Sequence, residues 1–191
     1  MKKTFLAMSF LSLSALTPVY AADYVIDTEK AHAFIDFRIQ HLGFSWMSGR
    51  FNDFSGNFSY DPEQPAASAI EVNIDVASID TNFAERDKHL RSDEFLNTDK
   101  FPEASFKSKK FQQWEDGSLV MVGDFTLHGV TRELSIPVKK VGEGDDPWGG
   151  YRVGFMGETK FTIADYGIDV SKLGPSSQEV YLTLSIEGVR Q

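Results

Sequence analysis

The sequence predicts an all-β fold with one minor helix, and three observations carry that prediction. Segments along most of the chain alternate apolar and polar residues with period two. Most of them keep one polar face, the pattern of antiparallel sheet wetted on one side rather than of parallel sheet. Helical patterning is confined to a single stretch, at about residues 82–97. About eight strands follow, with no internal repeat or linker, so two architectures remain: a two-sheet sandwich or a closed up-and-down barrel. Glycines set within strand-like sequence, which suit a bending sheet, and the lone helical excursion favour an extended barrel.

Taken in order, the chain opens with Met1-Lys2-Lys3, runs through apolar residues from Phe5 to Leu16, and reaches Pro18-Val-Tyr-Ala-Ala22. A basic start, a short apolar run and a small-residue cleavage site read as a secretory signal peptide over 1–21, cut after Ala21. The apolar run is too short to span a bilayer, and no later segment is long enough. No Cys stands near the cleavage site, which excludes a lipoprotein anchor. Residues 22–191 are then expected to form one domain exported to the periplasm.

The whole chain carries 19 basic and 28 acidic residues, a formal charge of −9, and losing Lys2 and Lys3 with the leader lowers that by two, to −11. Such a surface repels nucleic acid and anionic headgroups. The absence of Cys removes disulfides, thiol catalysis, thiolate–zinc sites and iron–sulfur clusters.

Ala33, Ile35, Phe37, Ile39 and His41 share one face of the first clear strand, with Asp36, Arg38 and Gln40 opposite. Phe44, Trp46, Phe51, Phe54 and Phe58 follow, interleaved with Gly43, Gly49 and Gly56 at expected bends. Ile70–Val76 alternates almost without fault. In the helical stretch Asn82 is placed to cap and Glu85 to complete a capping box. Phe83 and Leu90 mark its apolar face, and Asp87 lies between them, where a buried carboxylate needs a partner. The helix reads as a plug between two parts of the sheet.

Ala104, Phe106 and Ser108 begin the next strand, and Asp116-Gly117 signals a turn. Leu119–His128 and Leu134–Val138 continue the sheet, Pro137 pointing to an edge or a bulge. Gly142–Gly150 reads as a loop. Val153, Phe155, Gly157, Thr159, Phe161 and Ile163 form one face, and Val180–Ile186 is the last strand.

Catalytic and metal signatures are sparse. His32, His41, His89 and His128 show no metal-ligand spacing, and Ser171, Ser176 and Ser177 lie in no nucleophile elbow. Asp145-Asp146 lacks the ligand count of a calcium loop. His41 reads either as the close of a strand or as a polar contact for a ligand. The cluster Arg86–Arg91 reads either as an ion-pair anchor or as a cationic collar at a pocket mouth. Aromatic residues carry the strongest signal, with 16 Phe, 6 Tyr and 3 Trp. Composition stops at a secreted barrel, filled or enclosing an apolar pocket.

Several motifs together resemble the YceI-like family: His41-Leu-Gly-Phe-Ser45, Gly49-x-Phe51-x-x-Phe54-x-Gly56, Arg86-Asp-x-His89-Leu-Arg-Ser-Asp-Glu-Phe95, Phe101-Pro102-x-x-x-Phe106, Gly123-Asp-Phe-Thr-Leu-His-Gly-Val-Thr131 and Asp165-Tyr-Gly-Ile168. They run in order from about Asp23 to Val189. The resemblance implies a lipocalin-like, extended eight-stranded barrel whose apolar tunnel holds a polyisoprenoid chain, such as an isoprenoid quinone or its precursor. It implies a binding protein without catalysis, cofactor or metal. Under it, the expected ligand-binding residues are Ile35, Phe37, Ile39, Phe44, Trp46, Phe83, Leu90, Phe106, Phe125, Phe155 and Leu182, with His41 and Arg86 as polar contacts at an end. The expected partners are that lipid, with no nucleic acid and no stable membrane insertion; a homodimer is an allowed state. Two other readings stand beside it: an enzyme acting on an isoprenoid or quinone with His41 or His89 as base, and a filled, stress-related structural barrel.

Overall fold

The structure is a computed structural model, and it describes residues 21–115 and 118–191. The expected leader, residues 1–20, and the expected Asp116-Gly117 turn lie outside the described residues.

Among the described residues are eleven strands and one α-helix: β1 (Ala22–Ile26), β2 (Phe34–His41), β3 (Ser45–Phe51), β4 (Phe54–Tyr60), β5 (Ala69–Asp75), β6 (Ile79–Asp80), α1 (Ala84–Arg91), β7 (Glu103–Gln113), β8 (Leu119–Leu127), β9 (Val130–Asp145), β10 (Tyr151–Thr162) and β11 (Glu179–Arg190). Eight of them, in the order β1-β4-β5-β7-β8-β9-β10-β11, return on themselves through a β1–β11 pairing. The result is a closed antiparallel barrel, which removes exposed sheet edges from the ring. The remaining three extend it at one end, β2 pairing with β11, β3 with β2, and β6 with β3.

Three successive chain segments bend at the same level, which divides what would be three long strands into six. Asp27 N–H bonds to the Glu187 carbonyl at 2.9 Å just before β1 gives way to β2 on the flank of β11. Between β3 and β4, the N–H groups of Asn52 and Asp53 reach the Ser78 carbonyl and hydroxyl, at 3.2 and 3.0 Å. Between β5 and β6, the Asp75 carboxylate accepts from Ala77 N–H at 2.9 Å and closes a tight turn. Of the glycines expected at bends, Gly43 stands in the β2–β3 turn with a φ of 81°, whereas Gly49 does a different task. A Cβ at Gly49 would meet the ring of Phe37 and stand 2.9 Å from the Asp80 carbonyl oxygen, so glycine there makes room for an aromatic side chain.

The helix is shorter than 82–97 and begins differently. Asn82 adopts a left-handed φ of 60°, and Phe83 takes the capping position without a side-chain cap. Asn82 N–H bonds instead to the Asp80 carboxylate at 2.8 Å, so the polar residue serves a turn rather than a cap. Buried Asp87 accepts from both the N–H and the hydroxyl of Thr81. Arg86 closes the same knot, donating to the Thr81 hydroxyl and carbonyl at 2.7 Å each. Arg91 adds two bonds of 3.3 Å to the carbonyls of Ala77 and Ile79.

Two further expectations change. Pro137 is not on an edge, because β9 lies between β8 and β10; the register shift in β9–β10 falls instead where Val141 is passed over, between Phe155↔Lys140 and Gly154↔Gly142. Gly142–Asp145 is strand rather than loop, paired to β10, and only 146–150 turns. A buried core of Tyr24, Ile35, Phe58, Val76, Phe106, Phe125, Val153 and Tyr166, among others, lines the inside of the ring.

Candidate functional site

Inward-pointing residues do not fill the barrel. They enclose a cavity of about 550 Å³, within the range of ligand pockets and with an almost wholly apolar wall. Because successive side chains alternate across a strand, Ile35, Phe37 and Ile39 of β2 and Leu182, Leu184 and Ile186 of β11 face it together. Phe106 and Phe125, directly paired between β7 and β8, complete the lining from the far side, and Phe155 of β10 stands beside Ile186, its partner on β11.

Polar groups gather at the end where β2, α1 and the segment before β11 meet. His41, Arg86, His89 and Lys172 all reach the cavity wall there. The His41 imidazole has no hydrogen-bond or ion-pair partner among the described residues. His89 lies 3.5 Å and Lys172 2.9 Å from the carboxylate of Glu94. The Lys172 bond, and then that of His89, hold the Glu94 carboxyl below its ordinary range. At this end Ser177, buried, donates to the Gln40 carbonyl at 2.7 Å and accepts from Leu42 N–H at 3.3 Å. It clamps the β2–β3 turn rather than standing free as a nucleophile.

Of the thirteen expected site residues, Ile35, Phe37, Ile39, His41, Arg86, Leu90, Phe106, Phe125, Phe155 and Leu182 lie on the cavity wall. Phe44, Trp46 and Phe83 do not, and are corrected here. Trp46 pairs directly with Gln40 and so shares its outward face, edge-on to Tyr181 at 5.3 Å. Phe44 stands at the apex of the β2–β3 turn, 86% exposed. Phe83 precedes the first turn of α1 and lies outside, with the Arg86 guanidinium 5.7 Å from its ring centroid. Met47, Phe51, Lys172 and Leu173 line the cavity and were not expected. The alternation Met47–Gly49–Phe51 was a readable signal for the first two.

Arg86 therefore combines both readings offered for its cluster, anchoring Thr81 while touching the cavity. A second ionic knot sits at the opposite end. Arg152 bonds Asp27, Asp146 and Glu187 at 2.6, 2.7 and 2.6 Å, with His32 3.1 Å from Asp27. Asp27, His32 and Glu187 are close enough to converge on a cation, but the guanidinium already occupies the space between the two carboxylates. Burial raises the Asp27 carboxyl, and its bonds to Arg152 and His32 overcome this and hold it low.

The family model for the YceI-like domain matches residues 24–188. A UPF0312 protein of Shewanella sp. strain MR-4 is 53% identical over 193 residues, covering 100% of both chains. The crystal structure of a Campylobacter jejuni YceI protein is 25% identical with a TM-score of 0.69, covering 96% of this chain and 99% of that one. A polyisoprenoid binding domain from Saccharophagus degradans, implicated in plant cell wall breakdown, shares the fold at 15% identity and a TM-score of 0.64, covering 90% of this chain and 100% of that one.

Proposed function

This chain belongs to the YceI-like family, and from that footing we propose that it is a periplasmic carrier holding a long isoprenoid lipid, a quinone or its precursor, within the barrel. The observation that supports this most is the cavity: its wall is apolar along its length, and its charged groups collect at one end. A chain without polar atoms fits such a wall, and a polar head fits beside His41, Arg86, His89 and Lys172. The polyisoprenoid binding described for the Saccharophagus degradans domain agrees with that ligand class. The expected leader over 1–21 supports the compartment, and residues 22–191 are the working unit.

Magnitudes favour a long tail. Burial contributes about 0.8 kcal/mol per CH₂-sized group, so a tail of about 15 carbons gains roughly 12 kcal/mol before other terms. Association costs on the order of 4–15 kcal/mol. A short tail is held marginally and a longer one tightly. The proposed role is binding without turnover: the Ser177 hydroxyl is engaged by the Gln40 carbonyl and the Leu42 N–H, and His89 and Lys172 share the Glu94 carboxylate.

The deciding experiment is mass spectrometry of an organic extract from protein purified without detergent. A stoichiometric isoprenoid is expected, and its mass identifies tail and head together. Protein that stays empty after incubation with isoprenoid quinones overturns the carrier reading in favour of a barrel with no cargo of this class.

A further inference from the structure

We propose that the β2–β3 turn, with the cavity end it borders, docks on the surface of a phospholipid bilayer. Leu42 is 52% exposed, Phe44 86%, Trp46 45% and Phe83, at the start of the neighbouring helix, 57%. Isolated exposed apolar residues are ordinary; these four belong to two adjoining elements at one end of the molecule. Arg86, which stacks near Phe83, also reaches Met47 of β3 at 3.5 Å.

The turn is held rather than loose. Leu42 and Gly43 both adopt positive φ, at 50° and 81°, and Phe44 N–H bonds back to the His41 carbonyl at 2.9 Å. Positive φ at a leucine is unfavourable, and the Ser177 clamp keeps it in place. The apex is thereby fixed with its apolar side chains outward.

Two features select a bilayer as the occupant. First, Leu42 is at once half exposed and part of the cavity wall, so apolar surface on the turn continues into the interior beside the polar groups of that end. A lipid leaving a membrane here keeps its tail against Leu42 while its head passes His41, Arg86, His89 and Lys172. Second, a cation is at hand for a headgroup. The Arg38 guanidinium lies 4.9 Å from the Trp46 ring and 5.6 Å from that of Tyr181, with no carboxylate paired to it among the described residues. Lys160 and Lys172 are already paired, with Glu179 at 2.6 Å and Glu94 at 2.9 Å. An apolar apex, amphipathic rings and a cation suit the hydrocarbon, carbonyl and phosphate of a bilayer surface. In a chain whose formal charge of −9 falls by two, to −11, without Lys2 and Lys3 of the leader, binding by a broad electrostatic field is excluded, so contact depends on these few side chains.

This inference goes beyond the carrier reading, and vesicles free of isoprenoid test it separately. The purified protein is sedimented with phosphatidylethanolamine–phosphatidylglycerol vesicles. The expected result is measurable co-sedimentation that the double variant Leu42→Ser/Phe44→Ser weakens at least tenfold, with its circular dichroism unchanged. Trp148→Ser, which removes a ring 72% exposed on the β9–β10 turn, is expected to leave vesicle binding intact. Wild-type protein that stays in the supernatant, or equal binding by the wild type and the double variant, overturns the proposal. A solution dimer that Phe44→Ser dissociates, without vesicle binding, overturns it in favour of a second copy of this chain.

Discussion

Phe37 lays its ring across Gly49, the residue paired with it on β3. The strand thus presents a phenyl group where a local side chain would have stood, and backbone and wall share the same space. Gly49→Val is expected to destabilise the fold by about 1–3 kcal/mol through overpacking, because neither the Asp80 carbonyl nor the ring can withdraw. Urea unfolding measures this as a lowered midpoint at constant slope.

Ile39 faces the cavity near its charged end. Ile39→Asp places a carboxylate against the path of an apolar tail, and uptake of a prenylated quinone is expected to be lost while the circular dichroism stays native. Normal uptake by the folded variant removes Ile39 from the binding surface. Phe155→Asp asks the same of the wall on β10.

Tyr166 is buried among Phe125 and Phe161, and burial pushes its hydroxyl up to about 12. Its folded value is raised, so the stability linked to it is whole below pH 10 and declines as pH climbs from about 10 toward 12, where only the unfolded phenol ionises. Stability measured by urea across that window is expected to fall less steeply for Tyr166→Phe. Identical alkaline curves would exclude Tyr166 as the source.

Asp27 and Asp146 behave in the opposite sense, since both are held below their ordinary values, Asp146 chiefly by Gly150 N–H and then by Arg152. The stability they contribute is present above about pH 4 and lost as pH falls further. Arg152→Met is expected to lower the melting temperature clearly at neutral pH, with the gap from wild type closing below pH 4. A gap of constant size would show that Arg152 acts by packing rather than by charge.

Ser177→Ala removes two bonds from the β2–β3 turn, each worth about 0.5–1.5 kcal/mol net. Hydrogen exchange at Leu42 and nearby amides is expected to quicken while the β8–β9 amides remain unchanged.

The parts legible in the sequence are those where alternation alone fixes the face. Ile35, Phe37 and Ile39, like Phe106, Phe125, Phe155 and Leu182, sit in uninterrupted period-two runs, and each turns inward. Trp46 shows where aromatic character misleads. Phe44 and Trp46 lie off the odd-numbered inward phase of Ile35, Phe37, Ile39 and His41; His41 pairs with Ser45 across a three-residue turn, so that phase passes to Met47 and Phe51. Gly142–Asp145 departs from expectation for another reason: glycines and charges look like loop until a partner strand supplies the hydrogen bonds, and register is a property of two strands. Strand β1, only five residues long, carries too few alternations to be read from sequence.

That short strand decides when the ring exists at all. Tyr24 pairs with Arg190, and Gln191 N–H reaches the Asp23 carbonyl at 2.9 Å, so the seam joins segments separated by nearly the whole described chain. Contacts this distant are slow to form and come late in folding. A chain emerging from the ribosome has no seam to close until its final strand is free. Through that interval the edges of β1 and β10 wait unpaired, and an unclosed ring is the form that the proposed export requires of the chain.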